Sequence, residues 1–343
     1  MMRKVSVLVF LAFLFAWCMK ATAAEQITVK FATWHGPTSP NGLIEQELAK
    51  MLEEKTKGAV KIKFFWSESL VKYVETYRAV QTGVADMIYY VVGACPGVHI
   101  LNEVVNLPFM GFPSMEKAGP IYEKLLQEIP ELRAEWKGVK LFRPRFMAGS
   151  HIHTTKKQVK LPSDLKGMRL IASGPMVFTV ETLGGAPVQL GMGDWYTSLE
   201  RGLVEGHATH YPVILMTKTI DLLHYHLDFG PFGFYAQPDM LVMNMDTWNK
   251  LPKDFQEIIE DLCSNWRVAK ILKVDMGEIE KAKTYAKQKG HTFYYATPQE
   301  VSQWKEALKP VVEKWIETAE SKGLPGRKVY NEARRIIKAT SGR

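Results

Sequence analysis

Between residues 27 and 92 the hydrophobic positions follow two different periods in turn. Ile27–Phe31 alternates with period two, as a strand does, and Leu43–Leu52 recurs at the spacing of a helix. Val60–Trp66 alternates again, a helical pattern covers 73–83, and Ala85–Val92 is an almost unbroken apolar run, typical of a strand covered on both faces. The order β-α-β-α-β predicts a mostly parallel sheet with helices on both sides.

The same patterns begin again further along and predict a second α/β domain. Strands are expected over 139–147, 168–172, 187–190, 203–207 and 232–243, and His151 and His153 share one side of another extended segment. A helix is expected to begin near Pro175, and Asp194 is expected to N-cap a helix over 195–201. Two such domains place a ligand cleft between them, at the loops after the strands.

Three helical patterns complete the chain. One runs from Lys253 to about Gly290, and at 1.5 Å per residue it is about 55 Å long, so we expect it to span both domains. Thr297–Glu300 is a capping box with proline at the first helical position, which predicts the start of another helix. The tail over 328–343 is expected to be a surface helix with a frayed end.

The composition narrows the functional classes. The chain has 343 residues, 46% hydrophobic and 23% charged, which excludes a disordered chain and suggests two domains. Residues 1–24 carry the three parts of a cleaved secretory signal: a basic start, an apolar run to Trp17 and small residues at 21–24. That apolar run is too short to span a bilayer comfortably, and the sequence has no other run of about 18 apolar residues. We therefore expect a soluble, exported, periplasmic protein.

The charge excludes one further class of protein, and the cysteines leave two alternatives open. The net charge of +8 falls to +5 once the three basic residues of the signal are removed, and the charges are interspersed. Nucleic-acid binding is not expected, because no basic stripe carries aromatic residues. Cys95 and Cys263 follow the signal, and either one bridge or two buried thiols fit the sequence.

Candidate chemistry rests on histidines and aromatic residues. Phosphate-binding glycine loops and nucleophile elbows are absent from the sequence. His151 and His153, with His207 and His210, suggest a metal-dependent enzyme as one alternative, although their spacing supplies no recognisable ligand set, so we expect no metal, no cofactor and no enzymatic activity. Aromatic residues concentrate at the predicted cleft: Trp34, Tyr89, Tyr90, Phe178, Trp195 and Tyr211.

Six stretches, in order behind a signal peptide, resemble the extracytoplasmic solute-binding proteins of tripartite ATP-independent periplasmic (TRAP) transporters, the dicarboxylate-type family. They are Ala79–Met87, Asn106–Phe109, Leu161–Leu170, Leu183–Val188, Asp194–Gly206 and Thr247–Pro252. The resemblance implies a two-domain periplasmic binding protein clamshell with mixed, mostly parallel sheets. It also implies capture of a small organic acid and delivery to the permease subunits, without catalysis.

The chain departs from the family pattern where the ligand carboxylate is usually bound. The family arginine falls on Ile171, two residues after Arg169, a second arginine falls on His151, and the usual asparagine falls near Thr209. A guanidinium offers a planar fork that isoleucine cannot replace. Either other donors hold the carboxylate, with Arg145 and Arg169 as candidates, or the ligand is less acidic. The aromatic residues favour a ligand with a flat body, such as an aromatic acid.

These observations give a set of expectations for the structure. The ligand-binding residues are predicted to be Trp34, His35, Tyr89, Tyr90, Arg145, His151, Arg169, Ile171, Ser173, Trp195, His207, Thr209, His210 and Tyr211. The lobes are predicted as 25–148 with 236–276, and 149–235 with 277–343. The hinge is expected at 148–149, at 234–237 and in the long helix. A monomer is expected. A sensor that presents its closed form to a membrane receptor kinase remains an alternative to transport.

Overall fold

The structure is a computed structural model that describes residues 26–341. The predicted signal peptide over 1–24 lies outside the described residues. Two mixed sheets organise the chain. No helix within 26–341 is both long enough and apolar enough to cross a membrane.

The first sheet has strand order β2-β1-β3-β11-β4, with β5 paired to β11. Its strands are β1 (Ile27–Ala32), β2 (Val60–Phe65), β3 (Met87–Val91), β4 (Val139–Leu141), β5 (Arg145–Phe146) and β11 (Pro238–Asn244). β1 pairs in parallel with β2 and β3, as the β-α-β-α-β pattern predicts, and β11 runs antiparallel to β3, β4 and β5. All of β3 is buried, because both faces of the sheet are covered.

The second sheet has strand order β12-β10-β6-β9-β7-β8. Its strands are β6 (His151–Thr154), β7 (Arg169–Ile171), β8 (Ala186–Val188), β9 (Gly206–Thr209), β10 (Tyr225–Asp228) and β12 (Thr292–Tyr295). β7 pairs in parallel with β8 and β9, and β6 pairs antiparallel with β9 and β10. The start of β6 therefore lies beside the ends of β9 and β10.

Helices cover both faces of each sheet. They are α1 (Pro40–Lys55), α2 (Thr76–Gln81), α3 (Met115–Glu128), α4 (Pro130–Ala134), α5 (Pro175–Thr182), α6 (Trp195–Glu200), α7 (Tyr211–Met216), α8 (Met245–Lys250), α9 (Lys253–Glu260, Asp261–Trp266 and Arg267–Gln288), α10 (Pro298–Ala307), α11 (Lys309–Glu320) and α12 (Gly326–Ser341). Short 3-10 turns occupy Tyr73–Glu75, Asn102–Asn106, Pro162–Leu165, Met192–Asp194 and Thr219–Asp221. The middle part of α9 is a π-helical turn, a form often found near functional sites.

Two predictions about helix starts have opposite outcomes. The Thr297 hydroxyl accepts the Glu300 N–H at 3.3 Å, and the Glu300 carboxylate accepts the Thr297 N–H at 2.8 Å, so the capping box is confirmed. Asp194 makes no side-chain cap. Its backbone is already helical, at φ −97° and ψ −8°, because a 3-10 turn precedes α6, whereas an N-cap needs an extended residue.

The chain crosses between the sheets where the hinge was predicted. Residues 147–150 pair with 234–237: Ser150 N–H donates to the Tyr235 carbonyl at 2.7 Å, and Met147 N–H donates to the Gln237 carbonyl at 2.9 Å. A Cβ at Gly149 would lie 2.0 Å from the Phe232 carbonyl oxygen, so only glycine fits there. The strand predicted over 232–243 begins only at residue 238, because this crossing interrupts it.

The C-terminal helices pack differently from the sequence expectation. Trp304 and Val311 lie in a core on the second sheet, but Trp315, Val329 and Ile336 lie in a core on the first sheet with strand β3 and helix α3. The tail is an amphipathic surface helix, as expected, and the apolar stripe along α12 packs on the first sheet. We propose that 315–341 belong with the first lobe, whereas the sequence grouped 277–343 with the second.

Cys95 and Cys263 are free thiols, and both are buried. Of the two alternatives from the sequence, the structure has the pair of buried thiols. Burial raises the pKa of the Cys263 thiol to about 12.

Candidate functional site

An aromatic group lies at the end of strand β1 of the first sheet. The Trp34 ring centroid is 4.7 Å from that of His35, 5.8 Å from Tyr73 and 6.1 Å from Tyr89. His35 and Tyr89 are buried, whereas Trp34 is 42% exposed and presents ring surface to solvent. The sequence predicts that Trp34, His35 and Tyr89 belong to one group, and the structure places these three rings together. The fourth ring, that of Tyr73, comes from the turn before α2.

His35 is held in place by hydrogen bonds on both ring nitrogens. Its Nδ1 is 2.8 Å from the Glu45 carboxylate, and the Asn41 amide nitrogen is 3.1 Å from Nε2. A carboxylate only accepts, so the proton lies on Nδ1, and Nε2 accepts from Asn41. His35 therefore supports the aromatic group and has no nitrogen left for a ligand.

Tyr90 lies on the opposite face of β3 from Tyr89, because successive residues of a strand point to opposite sides. Its hydroxyl is 2.7 Å from His99 Nδ1, and its ring contacts Trp136 in an edge-on arrangement. The structure therefore removes Tyr90 from the predicted ligand-binding group and places it in the core.

A cluster of four charged side chains lies where the first sheet meets the long helix α9. Arg145 binds Asp239 side-on, with Nη2 2.7 Å and Nε 3.2 Å from the two carboxylate oxygens, and its Nη1 donates to Asp275. Arg267 Nη2 donates to Asp239 at 3.2 Å, and its guanidinium lies 5.6 Å from the Tyr89 ring centroid. The cluster thereby adjoins the aromatic group.

Burial and charge shift the ionisation of this cluster. Although burial opposes it, Asp239 and Asp275 raise the pKa of Arg145, which stays charged. Burial also raises the pKa of Asp275, against the pull of Arg145. Arg267 is fully buried, and its Nε and Nη1 atoms have no hydrogen-bond partner among the described residues. The cluster thus holds buried cationic donors that no group within 26–341 satisfies.

Histidines line one face of the second sheet. His151 pairs with Thr209 and His153 pairs with His207 across β6 and β9, and residues paired across an antiparallel sheet share a face. His210 follows β9 and caps α7, its Nδ1 accepting the Val213 N–H at 3.4 Å. The row runs from the cleft edge of the sheet into its interior.

Burial keeps these imidazoles neutral near pH 7. It lowers the pKa of His151 to about 4 and that of His207 to about 3. It also lowers the pKa of His210 to about 4, with smaller contributions from the charges of His151 and Arg145. The influence of Arg145 links the charged cluster of the first sheet to the second sheet.

Three histidines form a hydrogen-bonded chain on this face. His153 Nε2 lies 3.2 Å from the Thr209 carbonyl, which only accepts, so this nitrogen carries the proton. His153 Nδ1 therefore accepts from His226 Nδ1 at 2.8 Å, and His226 Nε2 accepts from His291 Nδ1 at 3.2 Å. Each neutral ring donates once, and one tautomer pattern fits the whole chain.

A cavity of about 410 Å³ opens beside His151, between helix α3, the crossing segments and the long helix. Asp228 lies on its wall, bound by Lys283 Nζ at 2.7 Å and by the Tyr211 hydroxyl at 3.2 Å. Although burial opposes it, His151 and Lys283 lower the pKa of Asp228. The volume of this cavity is within the range of small-molecule sites.

The other predicted residues lie apart from this arrangement. Arg169 is exposed at the start of strand β7, with Nη2 donating to the Gly202 carbonyl at 3.0 Å, so it is not a replacement donor. Ile171 is buried in a hydrophobic core, and Ser173 is exposed beyond the end of β7. The Trp195 ring packs edge-on at 4.7 Å against His207, further along β9.

Sequence reasoning missed Asp239, Arg267 and Asp275. A signal existed for two of them: Asp239 interrupts the apolar run of β11, and Arg267 occupies an apolar position of α9, four residues from Cys263 and from Ile271. A charged residue at a core position needs a partner.

The described residues do not offer a metal site. Within 26–341, no group of three or more His, Cys, Asp or Glu side chains is arranged to hold a metal ion. Of the histidines of the metal-dependent alternative, His153 bonds His226 and the Thr209 carbonyl, and His151 and His210 each accept a backbone N–H.

Comparisons with known proteins agree with the resemblance seen in the sequence. The family described as "Bacterial extracellular solute-binding protein, family 7" matches residues 31–318. A solute-binding protein of Verminephrobacter eiseniae is 27% identical over 248 residues, which is 70% of this chain and 71% of that protein. A TRAP periplasmic solute-binding protein of Desulfovibrio salexigens has a TM-score of 0.80 and 25% identity, covering 91% of this chain and 96% of the other. One from Rhodoferax ferrireducens, in complex with copurified benzoate, has a TM-score of 0.77 and 23% identity, covering 92% and 99%.

Proposed function

Because the chain belongs to family 7 of the bacterial extracellular solute-binding proteins, we propose that it captures a small aromatic carboxylic acid. It then delivers this acid to the membrane permease of a TRAP transporter. Residues 1–24 direct its export to the periplasm and are removed. Gene neighbours that encode small and large integral membrane subunits are the expected genomic setting.

The observation that carries the ligand class is the aromatic group beside the charged cluster. The exposed Trp34 ring offers an apolar face to a flat ligand, the buried Tyr89 ring packs behind it, and Arg267 adjoins Tyr89. Aromatic pairs contribute about 0.5–1.5 kcal/mol beyond the area that they bury. A ligand with a ring at one end and a carboxylate at the other matches this pairing of surfaces.

The histidine face of the second sheet supports the same class. His151, Thr209 and His210 stand at its cleft edge, where the family arginine and asparagine fall in the sequence. Neutral imidazoles and a hydroxyl hydrogen-bond a single carboxylate or a ring hydroxyl without the charge that a dicarboxylate needs. The benzoate bound by the Rhodoferax ferrireducens protein is a ligand of this kind.

A thermal-shift panel tests the ligand class. The purified protein is heated with benzoate, mandelate, succinate or the neutral amide benzamide. A ligand at a hundred times its Kd stabilises the folded state by about 2.7 kcal/mol. We expect stabilisation by benzoate or mandelate and none by succinate. Stabilisation by succinate alone would reject the aromatic class.

A pair of tryptophan variants tests the site. Trp34→Leu should weaken benzoate binding about tenfold, measured by calorimetry, because it removes the exposed ring. Trp248→Leu is the matched control, since Trp248 packs on Phe142 beyond the far end of β11. Equal affinities for the two variants would place the ligand elsewhere.

A further inference from the structure

Asp275 occupies a special place in the charged cluster. It lies on the long helix between Ile271 and Ala282, where the helix passes from the first sheet to the second. Its side chain is 20% exposed, whereas those of Arg145, Asp239 and Arg267 are 0–2% exposed. Asp275 is therefore the most solvent-accessible member of the cluster, and it contacts the Nη1 end of the Arg145 guanidinium.

The geometry points to Asp275 as an internal carboxylate that occupies Arg145 Nη1 in the absence of ligand and gives way to the carboxylate of the bound acid. This inference rests on the proposed function. Asp239 keeps its side-on pair with Arg145 Nε and Nη2 throughout. The ligand thus receives the guanidinium that the family pattern lacks at Ile171, from the first sheet rather than from the second.

The charge balance of the cluster supports an anionic guest. Arg145 and Arg267 face Asp239 and Asp275, so the cluster is balanced only while Asp275 is ionised and in place. When Asp275 leaves, a net positive charge remains, and an incoming carboxylate neutralises it. Arg267 Nε and Nη1, buried and unpaired, are further donors in the same cluster. Buried donors without partners are rare in native proteins, and a ligand is one way to satisfy them.

Displacement also predicts proton uptake. The charged groups near Asp275 are Arg145 of strand β5, Asp239 of strand β11 and Arg267 of the same helix. Tyr89 and His210 lie near Arg145. Burial already raises the pKa of Asp275, and Arg145 lowers it. Loss of contact with Arg145 raises that pKa further, so the protein binds a proton as it binds the acid. Affinity for a carboxylate should therefore rise as the pH falls towards 5.

Calorimetry with benzoate tests the inference, with each titration repeated in two buffers of different ionisation enthalpy. The unmodified protein should take up a fraction of a proton per benzoate bound, and the fraction should grow between pH 7 and pH 5. Asp275→Asn should bind benzoate about tenfold more tightly and take up no proton from this site, because a charge-assisted competitor has been removed. Asp261→Asn, on an exposed turn of the same helix, should match the unmodified protein in both measurements.

The results of these titrations test the displacement of Asp275 and the proposed function separately. Benzoate binding without proton uptake by the unmodified protein overturns the displacement of Asp275 and leaves the proposed function intact; this measurement needs no variant to fold. Weaker binding by Asp275→Asn than by Asp261→Asn also overturns it, because Asp275 then supports the site rather than competing for it. Failure of every variant to bind any aromatic acid overturns the proposed function and the inference together.

Discussion

The histidine chain makes a prediction about stability that can be worked through from its contacts. His226→Leu removes the donor to His153 Nδ1 and the acceptor for His291 Nδ1. His153 is fully buried, so its acceptor is left unpaired at a cost of about 1–3 kcal/mol. His291 is close enough to solvent to find water, and leucine fills most of the vacated space. We expect a loss of about 2 kcal/mol at pH 8, or about 3 °C in Tm for a chain of this length.

The pH dependence of this loss has a definite sign. Burial lowers the pKa of His226 to about 3, whereas an unfolded histidine titrates near its ordinary value of 6.5. Stability from a neutral buried imidazole is complete above pH 6.5 and declines as the pH falls towards 3, by up to about 1.4 kcal/mol per pH unit. The unmodified protein suffers this decline at position 226 and the leucine variant does not. The difference between them should shrink by about 2 kcal/mol at pH 5.

Chemical denaturation at pH 8 and pH 5 measures both quantities. His224→Leu is the control, because His224 is exposed and lies outside the hydrogen-bonded chain: its Nδ1 is 3.2 Å from the Thr155 carbonyl, and its ring packs edge-on against His291. Its effect should stay within about 0.5 kcal/mol. If the two leucine variants are equally stable, or if the deficit of His226→Leu is the same at both pH values, the tautomer chain does not contribute to stability as described.

Three further predictions concern the crossing segment, Arg169 at the start of strand β7, and the two thiols. Gly149→Ala should lower the free energy of unfolding by about 2 kcal/mol or more, because its Cβ meets backbone, while Gly193→Ala, in open space, should not; thermal unfolding separates the two. Arg169→Ala should leave both benzoate affinity and Tm unchanged within error, and a tenfold loss of affinity would return Arg169 to the site. Cys95 and Cys263 should react with a thiol reagent only in denaturant, and fast reaction of the native protein would contradict their burial.

The regular parts of the fold could be predicted because each strand and helix carries its own period. Ile27–Phe31, Ala85–Val92 and the long helix from Lys253 are confirmed because local patterning and burial agree there. Helix α3 gave no prediction, since Gly119 and Pro120 interrupt it; Gly119 allows the Pro144 carbonyl to lie where a Cβ would be only 2.3 Å away. Tertiary packing decides such a segment, and the sequence pattern does not.

The candidate site was predictable only in part, for a related reason. Trp34 follows strand β1 and Tyr89 lies within strand β3, and the hydrophobic pattern predicts both strands, so the contact between the two rings is a consequence of topology. The pairing of Arg145 with Asp239 and Asp275 joins residues 94 and 130 positions apart, and no local spacing announces it. Arg169 is predicted as a donor because it lies two residues from Ile171 and so shares its face of the strand. That spacing predicts the face of the sheet but not whether the side chain lies at the end of the strand near the site.

The packing of helix α12 on the first sheet has a practical consequence. Strand β1 and helix α12, the two outermost described elements, both belong to that sheet, so the second sheet is in effect an insertion. A surface attachment made through α12 would hold the first sheet still and leave the second tethered by the crossing segments and by helices α9 and α11. Fluorophores for following a closing motion should therefore include one on an internal exposed position of the second sheet's helices, such as Phe178, since a pair placed near the two outermost elements would report no change.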